Sequence, residues 1–313
     1  MRRYLVPVLF VVVLISIGIN VILAWGLAHR TSEGKLQERY PLLARRILID
    51  NPNDILINFV PLRKSLNDVA APWGDSFAMY FEYLPTGTSI GVNSTNEFII
   101  ASLVKVPVAM AYYRKQERLG MDFLDNVATI QAKDIDQSFG DLWRQGAGTK
   151  ITVREALRQM LVLSDNTAAN IIATTIPPED FTNVFAGLDM NLQEKDGKTI
   201  ISAKGYASIL KALYFAAIIN EDHSEQILNL LTQSSFNDQL VAGVPQNIKV
   251  AHKIGVYNNL YQDCGIVYVP DRPYLLCMMS ETPKDEADKR MSAVSRTVYT
   301  YVVGANESDQ SDN

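Results

Sequence analysis

The sequence contains the spacing Ser-x-x-Lys, which can form a chemical unit when it is helical. Residues i and i+3 share a helix face, so the lysine nitrogen can reach the serine hydroxyl. A neutral lysine can then take the serine proton as the serine oxygen attacks a carbonyl carbon. Because lysine is normally charged at neutral pH, this chemistry requires burial or a neighbouring cation to lower its pKa. The spacing occurs at Ser32 and Lys35, at Ser102 and Lys105, and at Ser208 and Lys211.

The second copy has the setting that catalysis requires. An apolar, strand-like run at residues 98–100 precedes Ser102, and the pattern predicts a helix from there to about Leu119. The free amides and the dipole at a helix N-terminus stabilise a developing oxyanion. The first copy lies in a charged N-terminal segment, and the third lies inside a predicted amphipathic helix. We therefore predict Ser102 as the nucleophile and Lys105 as its activator.

Two further short motifs could complete a site around this pair. The Ser-Asp-Asn sequence at 164–166 falls between two predicted helices and would bring a second hydroxyl and an amide to the cleft. The Lys-Ile-Gly sequence at 253–255 lies on a predicted strand, and its lysine would help to keep Lys105 neutral. Alone, each motif also fits an ordinary structure, a capped helix–helix turn or a solvated strand lysine.

In this order the three motifs and their flanking residues resemble the signature set of class A β-lactamases and penicillin-binding proteins. The resemblance covers about residues 50–303. It implies a serine hydrolase of amide bonds with no cofactor, in which Ser102 forms an acyl-enzyme and Lys105 activates it. Ser164 would pass a proton to the leaving nitrogen.

The resemblance also assigns the residues that would bind the substrate, a β-lactam or a peptidoglycan peptide. Asn166 would hold the side-chain amide of the substrate, and Lys253 would bind its carboxylate. Gly255 belongs to the same substrate-binding strand. The backbone amides of Ser102 and Val256 would form the oxyanion hole.

One residue of the third motif departs from the family pattern. Serine or threonine normally stands where this chain has Ile254. A hydroxyl that is expected to contact the substrate carboxylate is therefore missing, and we expect weaker binding of the common β-lactams.

The second departure concerns deacylation. Class A β-lactamases carry Glu-x-x-Leu-Asn on an omega-shaped loop, ahead of the helix predicted here at 206–219, and its glutamate activates the hydrolytic water. The match at 225–229 follows that helix and has the apolar spacing of an ordinary helix, so we interpret it as accidental. Glu194 and Asp189 are the remaining candidates for the base that activates the hydrolytic water. A β-lactam should therefore acylate Ser102 and leave slowly.

The elements that must position these residues follow the order helix, two strands, several helices, three strands and a helix. This order predicts an α/β fold of the α+β type, in which strands from both chain ends form one antiparallel sheet and an all-helical lobe is inserted between them. The cleft between the lobes would hold the site. The predicted boundaries are a helix at 54–71, a hairpin at 76–92, strands at 248–257, 262–269 and 274–279, and a last helix from 282.

The N-terminus predicts a membrane anchor. Residues 5–27 are almost entirely apolar and would span roughly 34 Å as a helix, enough to cross a lipid bilayer. Arg2 and Arg3 precede them, which keeps the N-terminus in the cytoplasm and the hydrolase outside, in a bacterial envelope. A cleaved signal peptide, with the small residues Gly26 and Ala28 at its cleavage site, is the alternative.

The sequence predicts four segments. Residues 1–30 would form a short cytoplasmic segment and the membrane anchor, 31–50 a stalk, 51–303 the hydrolase domain and 304–313 a disordered acidic tail.

The amino-acid composition bears on the possible partners and on metal binding. The net charge of −5 argues against a nucleic-acid partner. Three histidines and two cysteines are few potential ligands for a metal site.

Cys264 and Cys277 lie in neighbouring strand-like runs. We interpret them as buried free thiols, with a disulfide as the alternative. Pairing of Val269 with Tyr274 would make them diagonal neighbours on one sheet face.

Three functions fit these residues. The first is a β-lactamase-like hydrolase that opens β-lactam rings. The second is a D,D-peptidase or penicillin-binding-type enzyme on peptidoglycan peptides, which the predicted anchor and the missing glutamate favour. The third is a non-catalytic module that binds wall fragments or a partner protein. A pure binder need not keep Ser102, Lys105, Ser164 and Lys253 together, which argues against the third function.

Overall fold

The computed structural model describes residues 15–22, 25, 38–44 and 57–304. Residues 15–22 are helical, but within these ranges no helix is long and apolar enough to cross a membrane. Most of the predicted span at 5–27, most of the predicted stalk, the predicted domain start at 51 and the tail after 304 lie outside the described residues.

The strands of residues 57–304 form three antiparallel sheets. The largest sheet has the order β2-β1-β10-β9-β8, and the smaller sheets have the orders β3-β7-β6 and β4-β5. The strands are β1 Phe77–Tyr83, β2 Thr88–Val92, β3 Glu97–Ile99, β4 Val127–Thr129, β5 Lys150–Thr152, β6 Gln193–Lys195, β7 Lys198–Ser202, β8 Val250–Tyr257, β9 Leu260–Val267 and β10 Tyr274–Glu281.

The α-helices of the same region divide between the sheet and a helical lobe. Helices α1 and α8 pack on one face of the large sheet, α6 packs on the other face, and the remaining helices form the lobe. The helices are α1 Val60–Ala70, α2 Lys105–Leu119, α3 Val153–Val162, α4 Asn166–Ala173, α5 Pro178–Ala186, α6 Ala203–Tyr214, α7 Glu221–Leu231 and α8 Lys284–Gly304.

Strand β1 is buried on both faces. Phe77, Met79 and Phe81 alternate along the strand and pack with residues of α1 and α8. Ala78 and Tyr80 point the other way, into the core that the sheet shares with the helical lobe. The sheet is therefore a middle layer. The predicted architecture is confirmed: an antiparallel sheet from both chain ends, with a helical lobe between.

Several boundaries differ from the predicted ones. The first helix begins at Val60 instead of residue 54, because residues 57–59 are not helical. Pro61 stands in its first turn, where the missing N–H of proline leaves no helical hydrogen bond unmade, so it suits the start of a helix. Strand β8 begins at Val250 and the last helix at Lys284.

The interpretation of the two cysteines as free thiols is wrong. Cys264 and Cys277 form a disulfide and lie directly opposite each other on β9 and β10. The diagonal relation assumed that Val269 pairs with Tyr274, whereas Tyr274 pairs with Val267. The turn between the strands is longer than expected, and the resulting shift in register brings the two sulfur atoms together.

Thr152 and Glu155 have the spacing of a capping box, and this capping box is formed in part. The Thr152 hydroxyl accepts the Glu155 backbone N–H and caps α3, but the Glu155 carboxylate pairs with Arg158 at 2.7 Å. Helix α3 ends at Val162 and α4 begins at Asn166. The Ser-Asp-Asn motif therefore spans the junction of these two helices, as the sequence predicts.

Candidate active site

Ser102 lies in a tight turn between β3 and α2. Residues Ala101–Val104 form a 3₁₀ turn that runs directly into α2, and Ala101 has a positive φ of 46°. This backbone conformation is strained for alanine. The Tyr206 hydroxyl donates to the Leu103 carbonyl at 3.1 Å and anchors the turn to α6. Ser102 is thereby held half-buried at the start of helical structure.

Lys105 begins α2, and only 4% of its surface is exposed. Its Nζ lies 2.5 Å from the Ser164 carbonyl oxygen and 2.6 Å from Asn166 Oδ1. The same nitrogen lies 3.2 Å from the hydroxyl oxygen of Ser102 and 3.2 Å from that of Ser164. One buried amine therefore contacts both of the hydroxyls that the sequence singles out.

The protonation of Lys105 decides what this contact can do. Burial lowers the pKa of Lys105 to about 8, although the charges of Asp165 and Asp136 act in the opposite direction. Carbonyl and amide oxygens can only accept hydrogen bonds. The two N–H groups of the neutral amine therefore point at the oxygens of Ser164 and Asn166, and its lone pair is left for a hydroxyl proton. This is the arrangement of a general base.

Ser164 is held between two lysines. Its Oγ lies 2.8 Å from Lys253 Nζ as well as 3.2 Å from Lys105 Nζ. Lys253 also donates to the Ile254 carbonyl at 3.1 Å. Burial, helped by the charge of Lys105 and opposed by that of Asp263, holds the pKa of Lys253 well below its usual value. The Ser164 hydroxyl can therefore exchange a proton with either amine.

A loop of the helical lobe fixes the position of the Ser-Asp-Asn motif. The Asp165 carboxylate caps α4 by accepting the Ala168 N–H, and it also accepts the Leu142 N–H, each at 2.8 Å. Gly140 has a φ of 86°, and a Cβ atom there would lie 2.1 Å from Asp165 Oδ2. This position therefore requires glycine, both for its backbone conformation and for the space.

Sequence reasoning misses two residues beside Asn166, namely Ser138 and Asp136. Asn166 Nδ2 donates to Ser138 Oγ at 2.8 Å, and the Ser138 hydroxyl donates to the Asp136 carboxylate. Because Oδ1 accepts from Lys105, the amide predicted to hold the substrate is engaged at both ends. An Asp-x-Ser spacing is common in turns, so nothing in the sequence distinguishes this pair.

Strand β8 is an edge strand and runs beside the turn that holds Ser102. Tyr268 N–H donates to the Lys249 carbonyl, so these two residues form a hydrogen-bonded pair. Such pairs alternate along an antiparallel ladder, which makes Val256 and Tyr261 a pair without mutual hydrogen bonds. The Val256 N–H therefore points away from β9, to the side of Ser102. This direction suits the predicted oxyanion hole.

Gly255 allows β8 to approach that turn closely. A Cβ atom at this position would lie 2.3 Å from Gln262 Oε1 and 3.2 Å from Leu103 Cγ. Gln262 in turn donates to the Ile99 carbonyl at 2.9 Å. The structure thus gives Gly255 a packing role, and its contact with a substrate stays a prediction.

The two candidate deacylation bases occupy exposed positions. Glu194 lies on β6 opposite Thr199, and Asp189 has a φ of 53° in the chain before that strand. Both residues are exposed. Within residues 57–304 no carboxylate forms a hydrogen bond with Ser102 or Lys105. A role for either candidate stays a prediction.

The glutamate of the accidental match has another partner. Glu225 Oε2 accepts the Leu42 N–H at 3.0 Å, and the Leu42 carbonyl accepts the Tyr268 hydroxyl at 3.0 Å. Ala44 N–H donates to the Tyr214 carbonyl at 2.7 Å, and Leu42 is 3% exposed. Glu225 therefore binds the N-terminal segment 38–44.

The sequence model of a family described as the β-lactamase enzyme family matches residues 61–302. The chain belongs to this family. A β-lactamase of Phocaeicola vulgatus is 24% identical over 247 residues, which cover 69% of this chain and 77% of that relative. The family predicted from the three motifs is thereby confirmed, and membership supports a hydrolase.

Solved structures share the fold of this β-lactamase-family chain. PBP-A has a TM-score of 0.70 at 22% identity, over 78% of this chain and 98% of PBP-A. A PBP-A variant in an acyl-enzyme complex with penicillin G has a TM-score of 0.71 at 22% identity, over 77% and 95%. A β-lactamase from Sphaerobacter thermophilus has a TM-score of 0.71 at 19% identity, over 79% and 98%. At these identities the likeness shows a common fold.

The structure of this β-lactamase-family chain gathers most of the predicted site residues. Lys105 and Lys253 meet at the Ser164 hydroxyl, and Ser102 and Asn166 contact Lys105 from either side. Glu194 and Asp189 form no hydrogen bond with this cluster. The roles of the individual residues stay predictions.

Proposed function

We propose that this protein is a serine acyl-hydrolase that is acylated at Ser102 by β-lactams or by related cell-wall amides. The position of the Lys105 nitrogen carries the proposal, because it contacts two oxygens that can only accept and the hydroxyls of Ser102 and Ser164. With a pKa of about 8, about one tenth of this amine is neutral at pH 7.

The reaction begins when Ser102 Oγ attacks the carbonyl carbon of the substrate while Lys105 takes the hydroxyl proton. The N–H groups of Ser102 and Val256 bind the negative charge that develops on the carbonyl oxygen. The C–N bond then breaks, Ser164 gives its hydroxyl proton to the leaving nitrogen, and the proton on Lys105 returns to Ser164. Lys253 keeps Ser164 in place. The product is an ester between Ser102 and the acyl group.

Deacylation is slow in this proposal. A water molecule needs a base to attack the ester, and the lack of a carboxylate hydrogen-bonded to Ser102 or Lys105 within residues 57–304 supports a long-lived adduct. The exposed Glu194 and Asp189 are the candidates for whatever turnover exists. The fold is shared with a PBP-A variant that was solved as an acyl-enzyme complex with penicillin G, which agrees with such an adduct.

Incubation of the protein with penicillin G, followed by intact-protein mass spectrometry, tests the proposal. We expect a stable mass increase of one ligand, located on the peptide that contains Ser102. The Ser102→Ala variant should remain unmodified, and the matched Ser208→Ala variant, in the Ser-x-x-Lys copy on α6, should label normally. Labelling of Ser102→Ala would refute the nucleophile, and rapid turnover without an adduct would refute slow deacylation.

A D,D-peptidase on peptidoglycan peptides is the second candidate. The exposure of Glu194 and Asp189 favours it, since an enzyme that transfers or releases peptides need not hydrolyse a β-lactam ester quickly. Release of D-alanine from a peptide, compared with hydrolysis of nitrocefin, separates the two activities. A non-catalytic module would show neither activity and no adduct.

We also propose that the hydrolase is exported and held at the cell membrane by residues 5–27, with the N-terminus in the cytoplasm. The apolar run after Arg2 and Arg3 supports this location, and so does the disulfide between Cys264 and Cys277, because disulfides persist in oxidising compartments. The full chain should stay in the membrane fraction after alkaline extraction. A chain without residues 1–30 should not, and release of the full chain would contradict the anchor.

A further inference from the structure

A cavity of about 270 Å³ adjoins the proposed site on the side of Ile254. Its apolar wall consists of Phe139, Phe236, Ile254, Val256 and Tyr261. Two of these residues also belong to the surroundings of the site through their backbone, because the Ile254 carbonyl accepts from Lys253 and the Phe139 carbonyl accepts the Asn166 N–H. The cavity therefore borders the backbone beside Lys253 and Asn166, and its wall includes Val256, whose N–H points to the side of Ser102.

The wall of the cavity favours hydrocarbon over a charged group. The rings of Phe139 and Phe236 pack with their centroids 5.8 Å apart, and Ile254 adds an aliphatic chain where the family has a hydroxyl. Burying an apolar group against such a wall is favourable in proportion to its area. Burying a carboxylate there is costly unless donors or cations receive it.

The charged residues at the cavity do not supply that compensation. Asp238 and Asp263 contribute two carboxylates. Lys284 also lines the cavity, but it already donates to Asp238 at 3.1 Å and to Asp288 at 2.6 Å. The Asp263 carboxylate is paired with His252 at 2.7 Å. A ligand carboxylate would meet more negative than positive charge, which disfavours its binding.

The polar side chain of Gln239, which also lines the cavity, is held by a neighbouring carboxylate. Its Nε2 donates to Asp288 Oδ1 at 2.9 Å, and this bond fixes the orientation of the amide because a carboxylate can only accept. Gln239 Oε1 is buried without a hydrogen-bond partner. One of the two N–H groups of this amide is therefore engaged by Asp288, and the buried amide oxygen adds no positive charge to the cavity. The Tyr261 hydroxyl can donate or accept, so it does not discriminate between ligand charges.

We propose that this cavity binds an uncharged, largely apolar end of the acyl donor in place of a carboxylate, and that Ile254 sets this preference. The substrate class is then an amide or lactam whose end at this position is amidated, esterified or hydrocarbon. The inference rests on the proposed acylation of Ser102. It departs from the predicted contact between Lys253 and a substrate carboxylate.

The test compares penicillin G with its primary amide as acylating agents of the full chain. Intact-protein mass spectrometry gives the rate constant for modification of Ser102 by each compound, divided by the rate at which hydroxide opens the ring of the same compound. The wild type should favour the amide. Ile254→Thr should shift the ratio towards the acid by about tenfold, the size of one hydrogen bond to a charged group.

Two further variants complete the design. Phe236→Ala removes part of the apolar wall and should slow modification by the amide more than by the acid. Val127→Thr makes a similar exchange on the exposed strand β4, where Val127 is 59% exposed, and should leave the ratio unchanged. A wild-type preference for the acid overturns the inference while the acylation of Ser102 stands. No adduct at Ser102 with either compound refutes the proposed function and the inference with it.

Discussion

A single amine links the residues of this site. Lys105 takes a proton only in its neutral form, and burial lowers its pKa to about 8. The rate of Ser102 acylation should therefore rise with pH and level off above about 8. Quenched mass spectrometry over a pH series measures this profile. Lys105→Arg should lose the activity throughout, because the guanidinium stays protonated, and a profile that is flat or falls with pH would contradict the assignment.

At the residue scale, the site residues that the sequence predicts are those that belong to short motifs of fixed spacing. Ser102, Lys105 and Ser164 each belong to a short motif whose members are joined by one helical turn or one chain junction. Ser138 and Asp136 reach Asn166 only because a distant loop folds against α4. Contacts of this kind produce no recognisable motif in the sequence, so only the folded structure shows them.

At the scale of elements, the junction of α3 and α4 depends on the space that Gly140 leaves for Asp165. Gly140→Ala should lower the free energy of unfolding by about 2 kcal/mol, through backbone strain and the clash with the carboxylate together. It should also slow acylation, because Asp165 lies between Ser164 and Asn166. Urea unfolding and the labelling assay measure the two effects.

Gly148 provides the control for this substitution. It has a φ of 91°, close to the value of Gly140, but a Cβ atom there would meet nothing within 4 Å. Gly148→Ala should therefore show the strain alone, at about 1 kcal/mol, with normal acylation. Equal effects of the two substitutions would remove the proposed role of the contact with Asp165.

The contact between segment 38–44 and α7 makes a second prediction at this scale. Glu225→Ala removes the acceptor of the Leu42 N–H and should speed hydrogen exchange of that amide by about tenfold, as the loss of one hydrogen bond implies. Glu225→Gln, which keeps an acceptor, should have a smaller effect. Deacylation of Ser102 should be unchanged in both variants, and an altered deacylation rate would restore Glu225 as a catalytic candidate.

For the strands, the sequence predicts which residues form a strand but not how neighbouring strands are aligned. The alternation of Phe77, Met79 and Phe81 is enough to predict β1 and its faces. The register of β9 and β10 is different, because it depends on the length of the turn that joins them, and apolar runs on both strands fit more than one pairing. The turn predicted from the sequence is two residues too short. Cys264 and Cys277 are therefore predicted as diagonal neighbours and free thiols.

At the scale of the whole molecule, the disulfide joins two central strands that bury both of their faces. The cysteines are 13 residues apart in the chain, and a loop of this size corresponds to at most about 3 kcal/mol of stabilisation. A reductant should therefore lower the melting temperature of the wild type. It should not change that of a Cys264→Ala, Cys277→Ala double variant. An equal response of both proteins would mean that the reductant acts elsewhere.

The order of elements is sufficient to predict the two-lobed architecture, because strands at both chain ends with helices between them favour one antiparallel sheet with an inserted helical lobe. It does not predict which strand lies at the edge. The edge position of β8 is what turns the Val256 N–H outward beside Ser102, and only the ladder of the folded sheet determines it.

Segment 38–44 joins the domain beside Lys249, just before β8 begins, while Val256 lies near the other end of that strand. Seven residues of extended chain separate these two points, a distance of roughly 24 Å. Within the described residues, the point where segment 38–44 attaches and the turn that carries Ser102 therefore lie beside opposite ends of one strand, β8.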